Sequence, residues 1–329
     1  MRYQAALRPD AFVCSDPKAA NQRWPLTEGA ALAKPARMIP YLPFLDAPEV
    51  LNMGLKALDL HDWIEVNGQF AAQLAERRRL LEERRAEVLA ALPGSEAGQR
   101  EVLELLLDHL PARFPEIYRR SPGAIENLAT GERFPIPESE KIELAGRLVQ
   151  EDLCLMSAGE NGYRLVAGVL CFPSHWRLLD KLGRPLGEIH EPVPGFAERL
   201  GPTVDRFFAS IRVERPVWRA NWALVDTPEL FLAPEHRGRP AAVSAADAGD
   251  RLWLRVERQT LRRLPRSGDV LFTIHTHVEP LAEALCAPGA AKALAARVRD
   301  LPEDLASYKS IALIREPLLA WLERRAADG

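Results

Sequence analysis

The sequence predicts an α+β fold with an antiparallel sheet in the middle of the chain and helices towards both ends. Apolar residues recur at three- and four-residue spacing, among charged residues, from about 48 to 110 and again after 282. Five segments between 152 and 281 are apolar and extended in pattern, and some of them alternate with period two. One helical segment, 195–211, separates the first two extended segments from the last three.

The N-terminal elements are predicted to be helical. Across 48–92 the arginines are interleaved with glutamates, which favours a solvated helix face with ion pairs over a nucleic-acid-binding arm. A Pro-Gly break at Pro93 precedes a second helix over 95–110, which should end before the next proline. A proline-punctuated linker is expected over 114–137, followed by a short helix over 139–149.

The middle of the chain predicts strands. The first two span 152–157 and 163–172 and are joined by a polar, glycine-bearing turn typical of a hairpin. After the helix at 195–211, three further strands are predicted within 217–226, 251–264 and 269–281. The remainder, to about 327, returns to a helical pattern.

This element order predicts the topology and the domain organisation. Two strands, a helical crossover and a three-strand meander make a five-stranded antiparallel sheet with a pocket between sheet and helix, which is the arrangement of a PAS domain. Residues 151–281 form this PAS-like core. Residues 1–150 are expected to be a helical extension packed on the core, and 282–329 a C-terminal helical segment.

Composition excludes several classes of function. The 43 basic and 46 acidic residues are mixed along the chain and give a net charge of −3, which argues against nucleic-acid binding. The longest apolar run is too short to span a bilayer, and the start of the chain does not resemble a secretory signal, so we expect a cytoplasmic protein without membrane attachment. The four scattered cysteines favour reduced thiols over a zinc ribbon or a disulfide framework.

A histidine held between prolines is the first candidate ligand. In the stretch 162–195 an apolar strand leads into a loop in which His190 stands just before a Pro-x-Pro turn at Pro192 and Pro194. Each proline fixes its own φ and restricts the residue before it. Because a fixed backbone suits a ligand, His190 is predicted to bind a metal or a cofactor.

Several longer runs carry a resemblance to a known family. They are LVQEDLCLM (148–156), GYRLVAGVLCFPSHW (162–176), DKLG (180–183), IHEPVPG (189–195), RPVWRANW (215–222), LRVERQTLRRLP (254–265), VLFTIHTHVEPL (270–281) and, nearer the C-terminus, ASYK (306–309). With these runs the chain resembles the heme-dependent oxidative N-demethylase family, whose characterised type is the heme subunit of a dimethylamine monooxygenase. The resemblance implies a PAS fold that binds heme b, activates O2 and removes a methyl group from a small amine as formaldehyde.

The resemblance also implies roles for individual residues in heme binding. His190 matches the family's I-H-x-P-V-P loop and is expected to be the proximal ligand of the heme iron. His175, in the neighbouring loop, is the second candidate for that ligand, and the thiol of Cys171 is a third. His61, His109 and His236 lie in polar or charge-rich segments, where surface roles are expected.

Three basic residues in the matching runs are candidates for the two heme propionates, which bind charge-assisted donors. They are Arg219, Arg258 and Lys181. Each could instead pair with a nearby carboxylate.

Other residues in the matching runs are candidates for the substrate pocket. Glu257 and Asn221 are expected to orient the amine nitrogen. Trp218 and Trp222 could form the pocket wall or pack in the core. His275 and His277 stand where the family that the chain resembles has an arginine and a tyrosine, so the substrate preference of this chain could differ.

The electrons are expected to come from another protein. The chain has no G-x-G-x-x-G motif after a strand and no cysteine cluster for an iron–sulfur centre. A separate NAD(P)H-dependent flavin or iron–sulfur reductase is therefore the expected partner. Two alternatives stay open at this point, namely a heme- or ligand-binding PAS-type sensor and a non-catalytic subunit.

Overall fold

The computed structural model describes residues 39–46, 53–139, 141–196, 201–237 and 243–327. Residues 1–38 and 47–52, which include the start of the predicted N-terminal helical region, lie outside this part of the chain. The strands in the described part are β1 (Lys56–Ala57), β2 (Leu89–Ala91), β3 (Tyr118–Ser121), β4 (Ala124–Asn127), β5 (Glu132–Pro135), β6 (Asp152–Gly159), β7 (Gly162–Val169), β8 (Val217–Val225), β9 (Trp253–Arg263) and β10 (Val270–Pro280).

Short and medium-length helices surround these strands. They are α1 (Pro43–Asp46), α2 (Phe70–Glu83), α3 (Arg85–Val88), α4 (Glu96–Arg113), α5 (Lys141–Leu148), α6 (Leu178–Lys181), α7 (Leu186–Ile189), α8 (Gly201–Ser210), α9 (Ala248–Arg251), α10 (Leu281–Ala284), α11 (Ala290–Arg299), α12 (Glu303–Tyr308) and α13 (Arg315–Ala327). No helix in the described ranges is long and apolar enough to cross a membrane.

A large antiparallel sheet is the centre of the fold. Its strand order is β1-β8-β9-β10-β6-β7-β2, and each neighbouring pair is antiparallel. The mixed helix and sheet composition is confirmed, as are the five predicted strands, which are β6 to β10. The predicted size of the sheet is wrong, because β1 and β2 extend it at its two edges to seven strands, and the five-stranded PAS arrangement is therefore not established.

A second, three-stranded sheet occupies the predicted linker. Strands β3, β4 and β5 pair antiparallel within 118–135, so the prediction of an irregular segment is wrong. The two hairpin turns contain Gly123 and Gly131, whose φ angles of 71° and 73° lie in the region that glycine enters at least cost. Helix α4 also passes Pro111 before ending at Arg113. The proline lies in the last turn of α4. Because the helix ends two residues later, the proline disturbs few of its hydrogen bonds.

The two faces of the large sheet pack against different helices. One face contacts α6, α7 and α8 through a core that includes Met156, Leu165 and Phe208; we call it the crossover face. The opposite face packs against the N-terminal helices through residues such as Leu155 and against the C-terminal helices through residues such as Leu254; we call it the terminal-helix face. Since successive strand residues point to opposite faces, residue parity decides which face a side chain reaches.

Candidate functional site

His190 is held so that one ring nitrogen is available as a ligand. It caps the C-terminus of α7, and its Nδ1 lies 2.9 Å from the carbonyl oxygen of Leu186. Because a carbonyl only accepts hydrogen bonds, Nδ1 carries the proton and Nε2 keeps its lone pair. The ring also stacks on Phe196, with centroids 4.4 Å apart and planes 14° from parallel. A hydrogen bond from the other nitrogen is how proteins usually orient a histidine that binds a metal.

The electrostatic surroundings keep this imidazole neutral. Burial lowers the pKa of His190 below its usual value, and the nearby charges of Lys181 and Arg219 lower it further, against the effect of the Leu186 carbonyl. Metal binding requires the neutral form of the ring. Lys181 contacts the carbonyl oxygen of the residue before His190, and Arg219 lies on the face of the sheet against which α7 packs.

Lys181 lies at the end of α6 beside the His190 loop. Its Nζ donates a hydrogen bond to the carbonyl oxygen of Ile189 at 3.0 Å and lies 4.8 Å from the ring centroid of Trp176. Burial lowers the pKa of Lys181 to about 8. The ammonium is therefore charged at neutral pH, and no carboxylate of the described residues forms an ion pair with it, which favours an anionic ligand.

Arg219 is the least satisfied cation of this region. It lies on β8 and points to the crossover face, and burial lowers its pKa from the usual arginine value. Within the described residues its guanidinium has no hydrogen-bond or ion-pair partner, and its Nε is fully buried. A guanidinium stays charged in proteins, and a buried donor without a partner is costly. A ligand with acceptor oxygens would satisfy it.

Asn221 and Glu257 lie directly opposite each other in the pairing of β8 with β9. Paired residues have their Cβ atoms about 5 Å apart on the same face, here the crossover face. The Glu257 carboxylate accepts a hydrogen bond from Gln259 Nε2 at 3.0 Å, and Arg255 Nε lies 3.5 Å away. The Asn221 amide is half-buried and has no side-chain partner in the described part of the chain. Arg219, Asn221, Glu257 and Gln259 together form a polar strip on this face.

A lysine from the C-terminal segment contacts β8 at Trp222, the residue that follows Asn221 of the polar strip. Lys309 Nζ donates a hydrogen bond to the carbonyl oxygen of Trp222 at 2.8 Å. Burial lowers the pKa of Lys309 to about 8, while Glu257 raises it and Arg219 lowers it. Lys309 was not predicted as a site residue, and its one signal in the sequence is its position in the run 306–309, which is shared with the family.

Arg258 is not brought together with His190. It points to the terminal-helix face, where its guanidinium donates to the backbone oxygens of Trp63 and Asp62. Its Nε also lies 3.1 Å from Glu65 Oε1. These partners satisfy the Arg258 guanidinium, and its position on the terminal-helix face argues against contact with a heme bound at His190.

His275 and His277 also lie on the terminal-helix face. They stand two residues apart on β10, and their rings stack with centroids 4.6 Å apart. The sheet separates them from His190. Trp218 and Trp222 share this face and pack in the core, against Tyr41 and Phe44 respectively.

The two alternative iron ligands have different environments. Cys171 is fully buried, and burial raises the pKa of its thiol to about 12, so it is not a thiolate at neutral pH. His175 lies in the loop after β7 with a φ of 60°, and its Nδ1 is 3.4 Å from the carbonyl oxygen of Ala233. Neither side chain forms a hydrogen bond or a ring contact with His190.

The residues around His190 fit a heme. They provide a neutral imidazole nitrogen and two cations that form no ion pair with a carboxylate in the described part of the chain. The family model described as haem-dependent oxidative N-demethylase, alpha subunit-like, matches residues 54–319. The match covers β1 to β10 and the elements that carry the polar strip, and it confirms the resemblance found in the sequence.

Proposed function

We propose that this chain, which belongs to the haem-dependent oxidative N-demethylase, alpha subunit-like, family, removes a methyl group from a small amine such as dimethylamine. The family description supports heme dependence and oxidative N-demethylation in general terms, and "alpha subunit" indicates an assembly of several subunits. The observation that carries the proposal for this chain is the lone pair left on His190 Nε2, on the same side of the sheet as the Arg219 guanidinium, which has no partner among the described residues.

The proposed reaction balances with two electrons from a separate reductase. Dimethylamine, O2, two electrons and two protons give methylamine, formaldehyde and water. One C–H bond of a methyl group is oxidised to a carbinolamine, whose C–N bond then breaks to release formaldehyde. One oxygen atom enters the carbinolamine, and the other leaves as water.

His190 would hold heme b through Nε2, and Arg219 and Lys181 would pair with its propionates. When bound, the heme supplies the O2 activation that the protein side chains cannot provide. The cations match this role because a propionate on Arg219 would satisfy a guanidinium that otherwise has no partner among the described residues. Lys181 can make the same kind of contact while keeping its position over the His190 loop.

The polar strip would bind and orient the amine. A secondary amine is protonated in water at neutral pH, so the Glu257 carboxylate can accept an N–H of the substrate as a charge-assisted hydrogen bond. The Asn221 side-chain oxygen can accept the second N–H. Gln259 donates to Glu257 and holds its carboxylate in place, while Lys309 holds a proton at Nζ nearby.

An assay for formaldehyde tests the proposed function. The purified protein is supplied with heme, O2, dimethylamine, NADPH and a surrogate ferredoxin and ferredoxin reductase. We expect formaldehyde and methylamine in equal amounts. A protein that binds heme but releases no formaldehyde from dimethylamine or from other methylated amines would instead fit a sensor or a non-catalytic subunit.

Replacement of Glu257 by glutamine is expected to lower kcat/KM for the amine by about 100-fold, because a neutral amide loses the charge-assisted contact. The Soret spectrum should not change, since Glu257 is not proposed to touch the heme. Glu191→Gln is the matched control, because it makes the same change at an exposed position in the loop that carries His190. An unaltered kcat/KM in the Glu257 variant would exclude its role in orienting the substrate.

Heme affinity is expected to fall by about tenfold between pH 7 and pH 9. Lys181 has a pKa of about 8 before heme binds, and a propionate partner would raise it, so binding is strongest when the ammonium is already protonated. Affinity is therefore full below pH 8 and decreases as the pH rises through this value. Heme titration of the apoprotein measures it, and Lys181→Met should remove the pH dependence. A pH dependence that persists in this variant would assign it to another group.

A further inference from the structure

A second group of potential ligands lies on the terminal-helix face. Glu65, His275 and His277 each offer one ligand atom, and these atoms all lie within 4.8 Å of one another. His277 Nε2 is 3.5 Å from Glu65 Oε2. The two histidines point the same way because they are two positions apart on β10, whereas Glu65 comes from the segment before α2. Residues far apart in the sequence are therefore brought together here.

The nitrogen of His277 that faces Glu65 lacks a hydrogen bond. His277 is 7% exposed, and its Nε2 makes no hydrogen bond of good geometry within the described residues, because the Glu65 carboxylate is 3.5 Å away. Buried polar atoms are rarely left in this state, and a bound ion would supply the missing partner. Glu65 has a side chain that is 21% exposed, so the cluster is open to solvent on that side.

His275 is oriented as a metal ligand by a hydrogen-bond chain. Asn67 Oδ1 accepts hydrogen bonds from the Gln69 backbone N–H and from Gln150 Nε2, so its Nδ2 must be the atom that lies 2.9 Å from His275 Nε2. Since Nδ2 can only donate, His275 Nε2 carries a lone pair and Nδ1 carries the proton. That proton points to Glu151 Oε1, 3.1 Å away. A carboxylate on the outer nitrogen of a histidine is the usual support for a metal-binding imidazole.

We propose that Glu65, His275 and His277 bind a divalent transition-metal ion, for which zinc is the best match, at a site separate from the heme iron. Zinc takes imidazole nitrogens and carboxylate oxygens in a tetrahedral site, with bonds of about 2.0–2.2 Å. Ligand atoms then lie roughly 3.4 Å apart, so the side chains must move inwards by about 1 Å. Tyr41, whose hydroxyl contacts Glu65, or a water molecule completes the coordination. Asn67 gives up its hydrogen bond to His275 Nε2.

This metal would stabilise the fold at the central strand of the large sheet rather than take part in the oxidation. It links the segment before α2 to the last long strand of the sheet. The sheet lies between this cluster and the polar strip, so zinc and heme would bind independently. The zinc site does not depend on the proposed demethylase activity.

Zinc analysis of the heme-loaded protein tests the proposal. After treatment with EDTA and desalting, the protein is equilibrated with buffered micromolar zinc at pH 7.5, and zinc and iron are counted separately by mass spectrometry. We expect one zinc per chain and a higher thermal midpoint that EDTA reverses. His277→Gln and Glu65→Gln should lower zinc affinity by about 100-fold or more. His236→Gln, in a polar loop outside the cluster, is the matched control and should bind zinc like the wild type.

Asn67→Asp separates zinc binding from damage to the fold. Aspartate keeps an acceptor oxygen for Gln69 and Gln150 and replaces the competing donor with a second carboxylate oxygen. Zinc affinity should therefore rise by about tenfold, an effect that structural damage would not produce. His190→Ala should lose heme and keep zinc. Absence of zinc from the wild type, or equal zinc in the wild type and in a Glu65→Gln/His277→Gln variant with a native circular dichroism spectrum, would overturn the proposal.

Discussion

Replacement of His190 by alanine is expected to remove most of the heme while the chain stays folded. The variant loses the neutral Nε2 that we propose as the iron ligand, whereas Arg219 and Lys181 can still attract the propionates. We expect the Soret absorbance and the iron content per chain to fall by at least about tenfold after desalting. The fold should tolerate the change, because the half-buried ring contributes one hydrogen bond to Leu186 and a stack on Phe196.

Two further measurements make this test specific. His175→Ala changes the neighbouring loop histidine and should keep a normal Soret band, because its ring forms no hydrogen bond or stack with the His190 site. Imidazole added to His190→Ala should restore part of the band by occupying the space of the missing ring. A Soret band of unchanged position and intensity in His190→Ala would reject His190 as the ligand and direct attention to His175.

Local sequence patterns are sufficient to predict the central strands and the turns that join them. The turn between β6 and β7 is marked by glycines at 159 and 162, and the turn between β9 and β10 by Pro265 to Gly268. Both hairpins form at the expected places because their chain reversal is encoded within a few residues. The crossover helix is predicted over 195–211, and α8 covers Gly201–Ser210 of this range.

The edge strands and the small sheet could not be predicted by the same means. Strand β1 has two residues and β2 has three, which is too short for any periodicity to appear. They exist because an exposed sheet edge offers unpaired backbone groups that a passing segment can bind. Strands β3 to β5 are short and polar, so their pairing depends on tertiary context more than on side-chain pattern.

For the site residues on strands, residue parity predicts which face of the sheet each side chain reaches. Arg219, Asn221 and Glu257 are odd-numbered positions on paired strands and share the crossover face. Arg258 is one residue from Glu257 and must therefore point to the opposite face. Alternation along the predicted strand 251–264 is by itself enough to separate these two residues. Lys309 could not be placed in this way, because no local pattern brings the C-terminal segment to β8.

Loss of the Arg77 side chain is expected to give the largest decrease in stability. Arg77 on α2 is fully buried; its Nη1 lies 2.7 Å from Asp152 Oδ1, and its Nε donates to the carbonyl oxygen of Gly146 at 2.9 Å. Asp152 also accepts the backbone N–H groups of Cys171 and Phe172. The pair thus connects α2 and α5 to β6 and to the start of the loop that leads towards His190.

Arg77→Met keeps much of the side-chain volume but leaves a buried carboxylate without its counter-charge. We expect the free energy of unfolding to fall by about 3–5 kcal/mol, measured by urea denaturation. Arg78→Met is the matched control, because the neighbouring Arg78 pairs with Glu132 at the surface, and such pairs contribute at most about 1 kcal/mol. Similar losses of unfolding free energy in the two variants would show that the buried ion pair contributes no more to stability than the exposed one.

The pH dependence of the Arg77→Met variant identifies the cause of its instability. Burial raises the pKa of Asp152 even in the presence of Arg77, and the loss of the guanidinium should raise it further. A carboxyl group whose pKa is higher in the folded than in the unfolded state destabilises the fold fully above the folded-state pKa, and the penalty disappears as the pH falls below the unfolded-state value. The stability difference between variant and wild type should therefore shrink on acidification.

Asp152→Asn in the Arg77→Met background should remove that pH dependence and recover part of the stability, since the amide retains an acceptor oxygen for one of the backbone N–H groups. A deficit independent of pH would instead assign the loss to packing around α2.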